Sequence, residues 1–283
     1  MEITITVGKN RKDKKWKTRD LSWLAFVTLL EDLKRRPATS AKYAAMTPDE
    51  RAEEKDVGGY VAGSMVEGAR KALSVLSRQV VTLDIDFADL GFENYLPLIF
   101  NFEYYLHTTH SHSDIKPRYR LIIPIDEAVS VDKYEAIARR IAGDIDIELF
   151  DTTTFQASRL MYWPSATKDG AHIAIHNKGE IISAEAVLDQ YDDWSDTSKW
   201  PLSDKAIRKH LSTLRKQSDP TQKRGVVGAF CKEYNIEDAI ESFLSDIYES
   251  GQDGRYTFLE GSTANGLVIY DDIFAYSHHS TDP

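Results

Sequence analysis

The sequence predicts an α+β fold, in which strands and helices alternate without the regular order of a doubly wound parallel sheet. Residues 102–109 and 118–125 are predicted strands, the second with alternating side chains, and they flank the turn signal Ser113–Pro117, a pattern typical of a hairpin. Apolar residues have helical spacing at 21–34 and 131–142. Hairpins mixed with helices favour mixed or antiparallel sheets.

The chain begins with a predicted strand at Glu2–Val7, followed by a basic loop that contains Trp16. Lys42–Asp56 is polar and charged, so this segment is predicted to face solvent. The glycine-rich segment Gly58–Ser64 favours a tight turn over a phosphate-binding loop, because no P-loop lysine follows. The other predicted elements are a strand at 80–87, a short helix or buried run at 95–100, a strand at 145–150 and a closing strand at 171–176.

A polar, Asp-rich segment, Gln190–Pro201, is the predicted boundary between a domain of residues 1–190 and a second of residues 200–283. The second domain has helical patterns and then short strand patterns. The helices are predicted at Ala206–Leu214, Val226–Tyr234 and Ile236–Tyr248, and the strands at Tyr256–Leu259, Leu267–Tyr270 and Ile273–Ser277. Helices followed by a short β-ribbon indicate a small, mainly helical accessory domain that resembles a winged helix.

The composition is that of a soluble globular protein, with 42 % apolar and 28 % charged residues among 283. No apolar run approaches the roughly 18 residues of a membrane span, so no membrane partner is expected. No signal peptide opens the chain, and Cys231 is the single cysteine. A reducing cytoplasm is therefore the expected location.

The formal net charge of −10 argues against a general nucleic-acid coat protein. Two stretches run against this balance. Lys9–Arg19 has seven basic residues against Asp13, and Lys205–Arg224 has seven against Asp219. Local basic patches set phosphate affinity more than the total charge does, so both stretches are candidate nucleic-acid contacts, with solvated surface as the alternative.

The strand at 80–87 carries two carboxylates, Asp84 and Asp86. Side chains alternate along a strand, so both project from one face, roughly 6.6 Å apart. The two charges repel, and a divalent cation with oxygen ligands, Mg²⁺ or Mn²⁺, would resolve the conflict. Paired metals of this kind serve in-line displacement at phosphorus. Without metal, removal of either carboxylate is expected to leave stability level or raise it. A strand end that faces solvent is the alternative.

Basic side chains gather just after the predicted strand at 102–109. In order along the chain they are His110, His112, Lys116, Arg118 and Arg120. Grouped donors of this kind suit a polyanion such as a triphosphate.

The order of these motifs, with a further Asp beyond the next predicted strand, resembles that of the archaeo-eukaryotic primase superfamily. The matching stretches are Leu83–Asp86, Thr108–His112 running into Lys116–Arg120, and Phe150–Asp151 running into Ser158–Pro164. The closer likeness is to primase-polymerase domains of phages and prophages, of the type found ahead of virulence-associated protein E-like helicases. The likeness covers nearly the whole chain.

The resemblance implies an archaeo-eukaryotic primase-like catalytic domain, acting as a DNA primase-polymerase and therefore as a metal-dependent nucleotidyltransferase. Asp84, Asp86 and Asp151 would hold Mg²⁺ or Mn²⁺. The substrates would be a single-stranded DNA template and NTP or dNTP. A helicase region, in cis or in trans, would be the partner in phage or mobile-element replication.

The family's middle motif is a small residue, any residue, then His, which Thr108–His110 fits. The close phage relatives place the His just before a Pro-Arg-x-Arg strand, which points to His112 instead. His112 is therefore the preferred catalytic histidine and His110 the second choice. The candidate nucleotide-binding residues are His110, His112, Arg118, Arg120, Arg159, Lys9 and Arg11.

Two other functions fit parts of the sequence. A rolling-circle replication endonuclease would use His110 and His112 for a metal and Tyr134, on a predicted helix, as nucleophile. Ser111 between the histidines is polar and makes this match poor. A non-catalytic nucleic-acid-binding module is the other alternative, and the three acidic positions argue against it.

Overall fold

Two units divide the chain, Met1–Gln190 and Tyr191–Pro283. The computed structural model describes residues 1–66, 68, 70–208, 219–272, 274–279 and 281–282. The first unit contains every candidate catalytic and nucleotide-binding residue named above.

The first unit is a mixture of helices and strands. Its helices are α1 Trp23–Glu31, α2 Ser40–Ala45, α3 Pro48–Glu54, α4 Phe92–Ile99, α5 Val131–Ile145 and α6 Ala184–Leu188. Its strands are β1 Glu2–Gly8, β2 Lys17–Ser22, β3 Lys34–Arg35, β4 Gly59–Val61, β5 Gly63–Met65, β6 Val75–Ile85, β7 Tyr104–Thr108, β8 Tyr119–Val129, β9 Met161–Tyr162, β10 Ser165–Ala166 and β11 Ala174–Asn177.

The strands form two antiparallel sheets and one short parallel pair. The larger sheet has the order β11-β7-β8-β6-β5, and the smaller has the order β2-β1-β4-β9. Strands β10 and β3 pair in parallel. The predicted hairpin is confirmed as β7 and β8. In the pairing of β6 with β8, Asp84 stands opposite Arg120. The α+β prediction with antiparallel sheets is confirmed.

One apolar core cluster lies between the larger sheet, helix α1 and the smaller sheet. Val80, Tyr105 and Ile122 of the larger sheet pack there with Trp23 and Phe26 of α1. Because side chains alternate along β6, this core faces the same side of the strand as Asp84, four residues beyond Val80. The carboxylate therefore emerges at the edge of a rigid apolar core.

The glycine-rich segment forms two short buried strands, β4 and β5, rather than an exposed turn. A Cβ at Gly59 would lie 2.3 Å from the carbonyl oxygen of Met161, and one at Gly63 would lie 2.1 Å from that of Ser77. The glycines thus let neighbouring strands approach closely, which is a packing role.

The predicted strand at 145–150 is wrong. Helix α5 continues to Ile145, and Ile147–Leu149 forms a 3-10 turn. The side chain of Asp146 accepts a hydrogen bond from the backbone N–H of Glu148, which stabilises this turn against an extended chain.

The second unit has helical residues 204–208, helices α7 Val226–Glu233 and α8 Ile236–Phe243, and strands β12 Tyr248–Ser250, β13 Arg255–Phe258, β14 Leu267–Tyr270 and β15 Phe274–Ser277. The strands form an antiparallel meander, and its core contains Ile240, Tyr256 and Leu267. The expected short ribbon is a four-stranded sheet, since β12 adds a strand to the three that were predicted. The helix expected at Ala206–Leu214 and the strand start at Ile273 lie partly outside the described residues.

Within the described chain, no helix is long and apolar enough to cross a membrane.

Candidate active site

Three carboxylates, Asp84, Asp86 and Asp151, line one cleft of the first unit. Asp84 lies near the end of β6, and Asp86 follows that strand on the same face. The backbone N–H of Asp151 donates to the carbonyl oxygen of Asp84 at 2.9 Å, and Phe150 forms a bridge with Ile85. The chain after the 3-10 turn is therefore tied directly to the end of β6.

Each carboxylate of the cleft is paired with an arginine. Arg120 Nε lies 2.8 Å from Asp84 Oδ1, and Arg118 Nη1 lies 3.0 Å from Asp86 Oδ2. Arg159 Nη2 lies 2.9 Å from Asp151 Oδ2. The arginines thus relieve the repulsion expected between the carboxylates. The sequence had predicted that a divalent cation between them would do so.

The carboxylates still influence one another. Burial raises the pKa of Asp86, Arg118 counteracts this, and the charges of Asp84 and Asp151 raise it further. A positive charge that approached this group would favour its ionised form.

The donor chemistry of the cleft suits Mg²⁺ or Mn²⁺, both of which prefer oxygen ligands. Asp84 accepts the hydrogen bond of its arginine through Oδ1, and Asp86 does so through Oδ2. The second oxygen of each carboxylate accepts no hydrogen bond from the described residues. No three His, Cys, Asp or Glu side chains of the described chain form a ready metal cluster.

His110 also lines this cleft, two residues beyond the end of β7. Its Nδ1 lies 2.9 Å from Ser165 Oγ, and the ring of Tyr43 packs against it at 4.7 Å. Its Nε2 is buried without a partner among the described residues. Burial lowers the pKa of His110 to about 4, so the imidazole is neutral near pH 7.

His112, the preferred histidine in the sequence analysis, does not line the cleft. Its Nδ1 accepts a hydrogen bond from the backbone N–H of Arg118 at 3.2 Å, and its ring packs on Tyr119 at 5.6 Å. Tyr119 alternates with Arg118 and Arg120 along the chain and so faces the other side. The choice between the two histidines stays a prediction, and the geometry of the cleft favours His110.

Sequence reasoning missed several residues of the cleft. Lys55 follows α3 and lies in the segment expected to face solvent, yet it lines the cleft with its Nζ 5.6 Å from the ring centre of Tyr162. Burial lowers the pKa of Lys55, opposed by the charge of Asp84. Tyr162, Trp163 and Ser165 also line the cleft. The aromatic cluster beside Arg159 was the available signal for the first two, whereas no local pattern marks Lys55.

The two basic candidates near the N-terminus lie differently. Arg11 lines a second cleft, which adjoins the first because both are lined by Asp84, Arg120 and Arg159. Lys9 lines neither cleft.

Tyr134, the nucleophile required by the rolling-circle alternative, is fully buried. Its ring lies 4.0 Å below the guanidinium of Arg78, which is itself fully buried and donates to the carbonyl oxygens of Ala62, Ala157 and Val80. A nucleic-acid strand cannot reach a hydroxyl in this position without unfolding the core. The structure gives no support to that alternative.

The first unit is thus an α+β domain with a cleft of carboxylates, arginines and two neutral histidines, His107 and His110. The family model of the VapE N-terminal domain matches residues 1–203, and the chain belongs to that family. This confirms the resemblance to domains of the type found ahead of virulence-associated protein E-like helicases.

Two solved structures are distantly similar to the chain. The AEP domain (PP-N190) of the Cyanophage S-2L primase-polymerase PrimPol has 15 % sequence identity and a TM-score of 0.38, over 66 % of this chain and 87 % of that one. The primase RepB' has 11 % identity and a TM-score of 0.34, over 87 % of this chain and 72 % of that one. No curated protein matches the chain.

Proposed function

We propose that this protein is a DNA primase-polymerase, which joins NTP or dNTP on a single-stranded DNA template during phage or mobile-element replication. The observation that carries the proposal is the shared cleft of Asp84, Asp86 and Asp151, with arginines and Lys55 around them. Carboxylates that can bind metal ions, placed beside cations that can bind phosphate, are the equipment of phosphoryl transfer.

Asp84, Asp86 and Asp151 would hold Mg²⁺ or Mn²⁺, with carboxylate oxygens as ligands. When bound, the metal ions would lower the pKa of the attacking hydroxyl and neutralise charge on the leaving pyrophosphate.

The arginines of the cleft would bind the triphosphate of the incoming nucleotide. Arg118, Arg120 and Arg159 are now bound to carboxylates, and phosphate oxygens are the other acceptors that suit a guanidinium. The triphosphate would compete for these donors and thereby release carboxylate oxygens. Without nucleotide, the three arginine–carboxylate pairs offset one another's charge within the cleft.

His110 would position the triphosphate through a single hydrogen bond. Ser165 Oγ can donate to Nδ1, and in that tautomer Nε2 carries the proton and can donate to a phosphate oxygen. Because burial keeps the imidazole neutral, this bond takes its strength from the charge of the phosphate alone.

The proposal is tested by incubation of the full chain with single-stranded DNA, labelled nucleotides and Mg²⁺ or Mn²⁺, with and without a primer. We expect Asp86→Asn to reduce nucleotide incorporation at least about a hundredfold, because metal ions supply several kcal/mol in such reactions. Asp114→Asn, in the exposed turn between β7 and β8, is the matched control and should retain activity.

Incorporation by Asp86→Asn at the rate of the unchanged protein would refute the metal assignment. Absence of incorporation by the unchanged protein on every template would refute the proposed activity.

We also propose a helicase region, in cis or in trans, as the functional partner. The support for this partner is the membership of the chain in the VapE N-terminal domain family. Co-purification of the chain with a VapE-type helicase region would test it.

A further inference from the structure

The second cleft is strongly basic, and the proposed nucleotide site does not account for all of its charge. The cations in its lining are Arg11, Lys12, Lys55, Arg70, Arg120 and Arg159, and the single acid there among the described residues is Asp84. Arg120 and Arg159 are paired with the catalytic carboxylates. Arg11 and Lys12 share Glu53 at 2.6 and 2.9 Å.

Arg70 has no carboxylate partner among the described residues. Its Nη1 donates to the carbonyl oxygen of Ser158 at 2.7 Å, and its guanidinium lies 5.7 Å from the ring centre of the buried Trp16. Its Nε is buried without a partner in the described chain. Burial lowers the pKa of Arg70, which means that the fold bears a cost for holding this charge.

Lys55 is a second half-buried cation without a paired carboxylate in the described part of the chain. It lies against the ring of Tyr162, between the two clefts, because it lines both. Two cations that are partly desolvated, unpaired and fixed beside an aromatic ring are suited to an anionic ligand that also carries a flat, stackable group.

The excess of cations does not extend beyond the second cleft. That cleft meets a further depression at Lys12, which is lined by Lys14 and Lys15 but also by Asp13, Glu53 and Asp56, so the charges there balance. The excess is therefore confined to the second cleft, which adjoins the carboxylates at Asp84. Six cations in one cleft exceed the needs of one triphosphate and fit an extended polyanion.

We propose that the second cleft, centred on Arg70 and Lys55, binds the phosphodiester backbone of single-stranded nucleic acid as it leads into the catalytic cleft. The choice of this ligand over another polyanion rests on the proposed function. Arg70 would contact a backbone phosphate, Tyr162 would support a base, and Lys12 would add a weaker, solvent-exposed contact.

The test measures binding of a labelled single-stranded DNA oligonucleotide to the full chain by fluorescence anisotropy across a series of salt concentrations. Arg70→Ala should weaken binding about tenfold, the loss expected for one charge-assisted contact. It should also reduce the slope of log affinity against log salt by about 0.7, the value for one phosphate contact on a single strand. Arg70→Lys should recover most of the affinity and the slope.

Arg19→Ala is the matched control. Arg19 is an arginine of the basic stretch Lys9–Arg19, but it is exposed on β2 and lines none of these clefts. A parallel titration with dNTP and Mg²⁺ distinguishes a strand from a free nucleotide. We expect Arg70→Ala to leave dNTP affinity unchanged. Thermal unfolding of each variant checks that the fold is retained.

The proposal is overturned if Arg70→Ala binds the oligonucleotide like Arg19→Ala, or if it loses dNTP affinity and keeps oligonucleotide affinity. It is also overturned if Arg70→Lys, folded, binds no better than Arg70→Ala. Arg70-dependent binding of the strand by a protein that incorporates no nucleotide would refute the proposed activity and leave this site standing.

Discussion

Arg120 connects the carboxylates to the rest of the cleft at the level of single residues. Its Nε donates to Asp84 Oδ1 at 2.8 Å and its Nη1 donates to the carbonyl oxygen of Tyr162 at 2.7 Å. Both members of the Arg120–Asp84 pair are almost fully shielded, with side-chain exposures of 7 % and 14 %. Loss of one partner would leave the other as an uncompensated buried charge.

Asp84→Ala is therefore expected to lower the free energy of unfolding by about 3 kcal/mol. This reverses the sequence-based expectation that removal of one carboxylate would leave stability level or raise it, because the arginines were not visible as partners. Urea unfolding of the metal-free protein measures the change. Asp32→Ala breaks an exposed pair with Lys34 and, as control, should cost about 0.5 kcal/mol or less. Equal stability of Asp84→Ala and the unchanged protein would show that the buried pair contributes nothing.

The two histidines offer a matched comparison at the same scale. His110 lines the carboxylate cleft, whereas His112 packs on Tyr119 outside it. His110→Ala should lower kcat/KM for the nucleotide by about 10- to 150-fold, the range for one hydrogen bond to a charged group. His112→Ala should have the smaller effect. Steady-state extension of a primed template measures both, and the opposite order would return the role to His112.

At the scale of elements, strands were predicted well where their residues alternate and poorly where a side chain overrides the pattern. The strand that carries Asp84 and the hairpin after it were predicted, since β-branched and aromatic residues alternate there. The segment at 145–150 failed because Asp146 caps a 3-10 turn, a contact that periodicity does not show. The prediction of a turn at the glycine segment was wrong. Glycine is needed there because the backbones of Met161 and Ser77, which belong to other strands, leave no room for a Cβ.

The candidate site was predictable in its acids and less so in its cations. A two-residue spacing on a strand fixes Asp84 and Asp86 on one face, whatever the rest of the fold. The position of Arg70 depends on Trp16 and Ser158, which are distant in sequence. Lys55 depends likewise on Tyr162. Contacts between distant segments carry no local signal, so Lys55 and Arg70 were both absent from the predicted set.

At the scale of the whole molecule, the first unit has its own sheets, core and carboxylate cleft. The candidate residues for metal, nucleotide and strand all lie within Met1–Gln190. The basic stretch Lys205–Arg224 belongs to the second unit, and residues 209–218 of it lie outside the described residues. A role for this stretch in binding the template would therefore add to that of Arg70 without replacing it.

Removal of residues 191–283 tests this division. We expect residues 1–190 to unfold cooperatively and to extend a primed template, because the core and the cleft are internal to this unit. Template affinity should fall and its dependence on salt should weaken, since the lost cations no longer release counterions. The effect of Arg70→Ala on affinity should be the same in the shortened and full-length chains, as expected when two contributions to binding are independent. A shortened chain with the full template affinity would exclude a nucleic-acid role for Lys205–Arg224, and one that fails to fold would show that the first unit depends on the second.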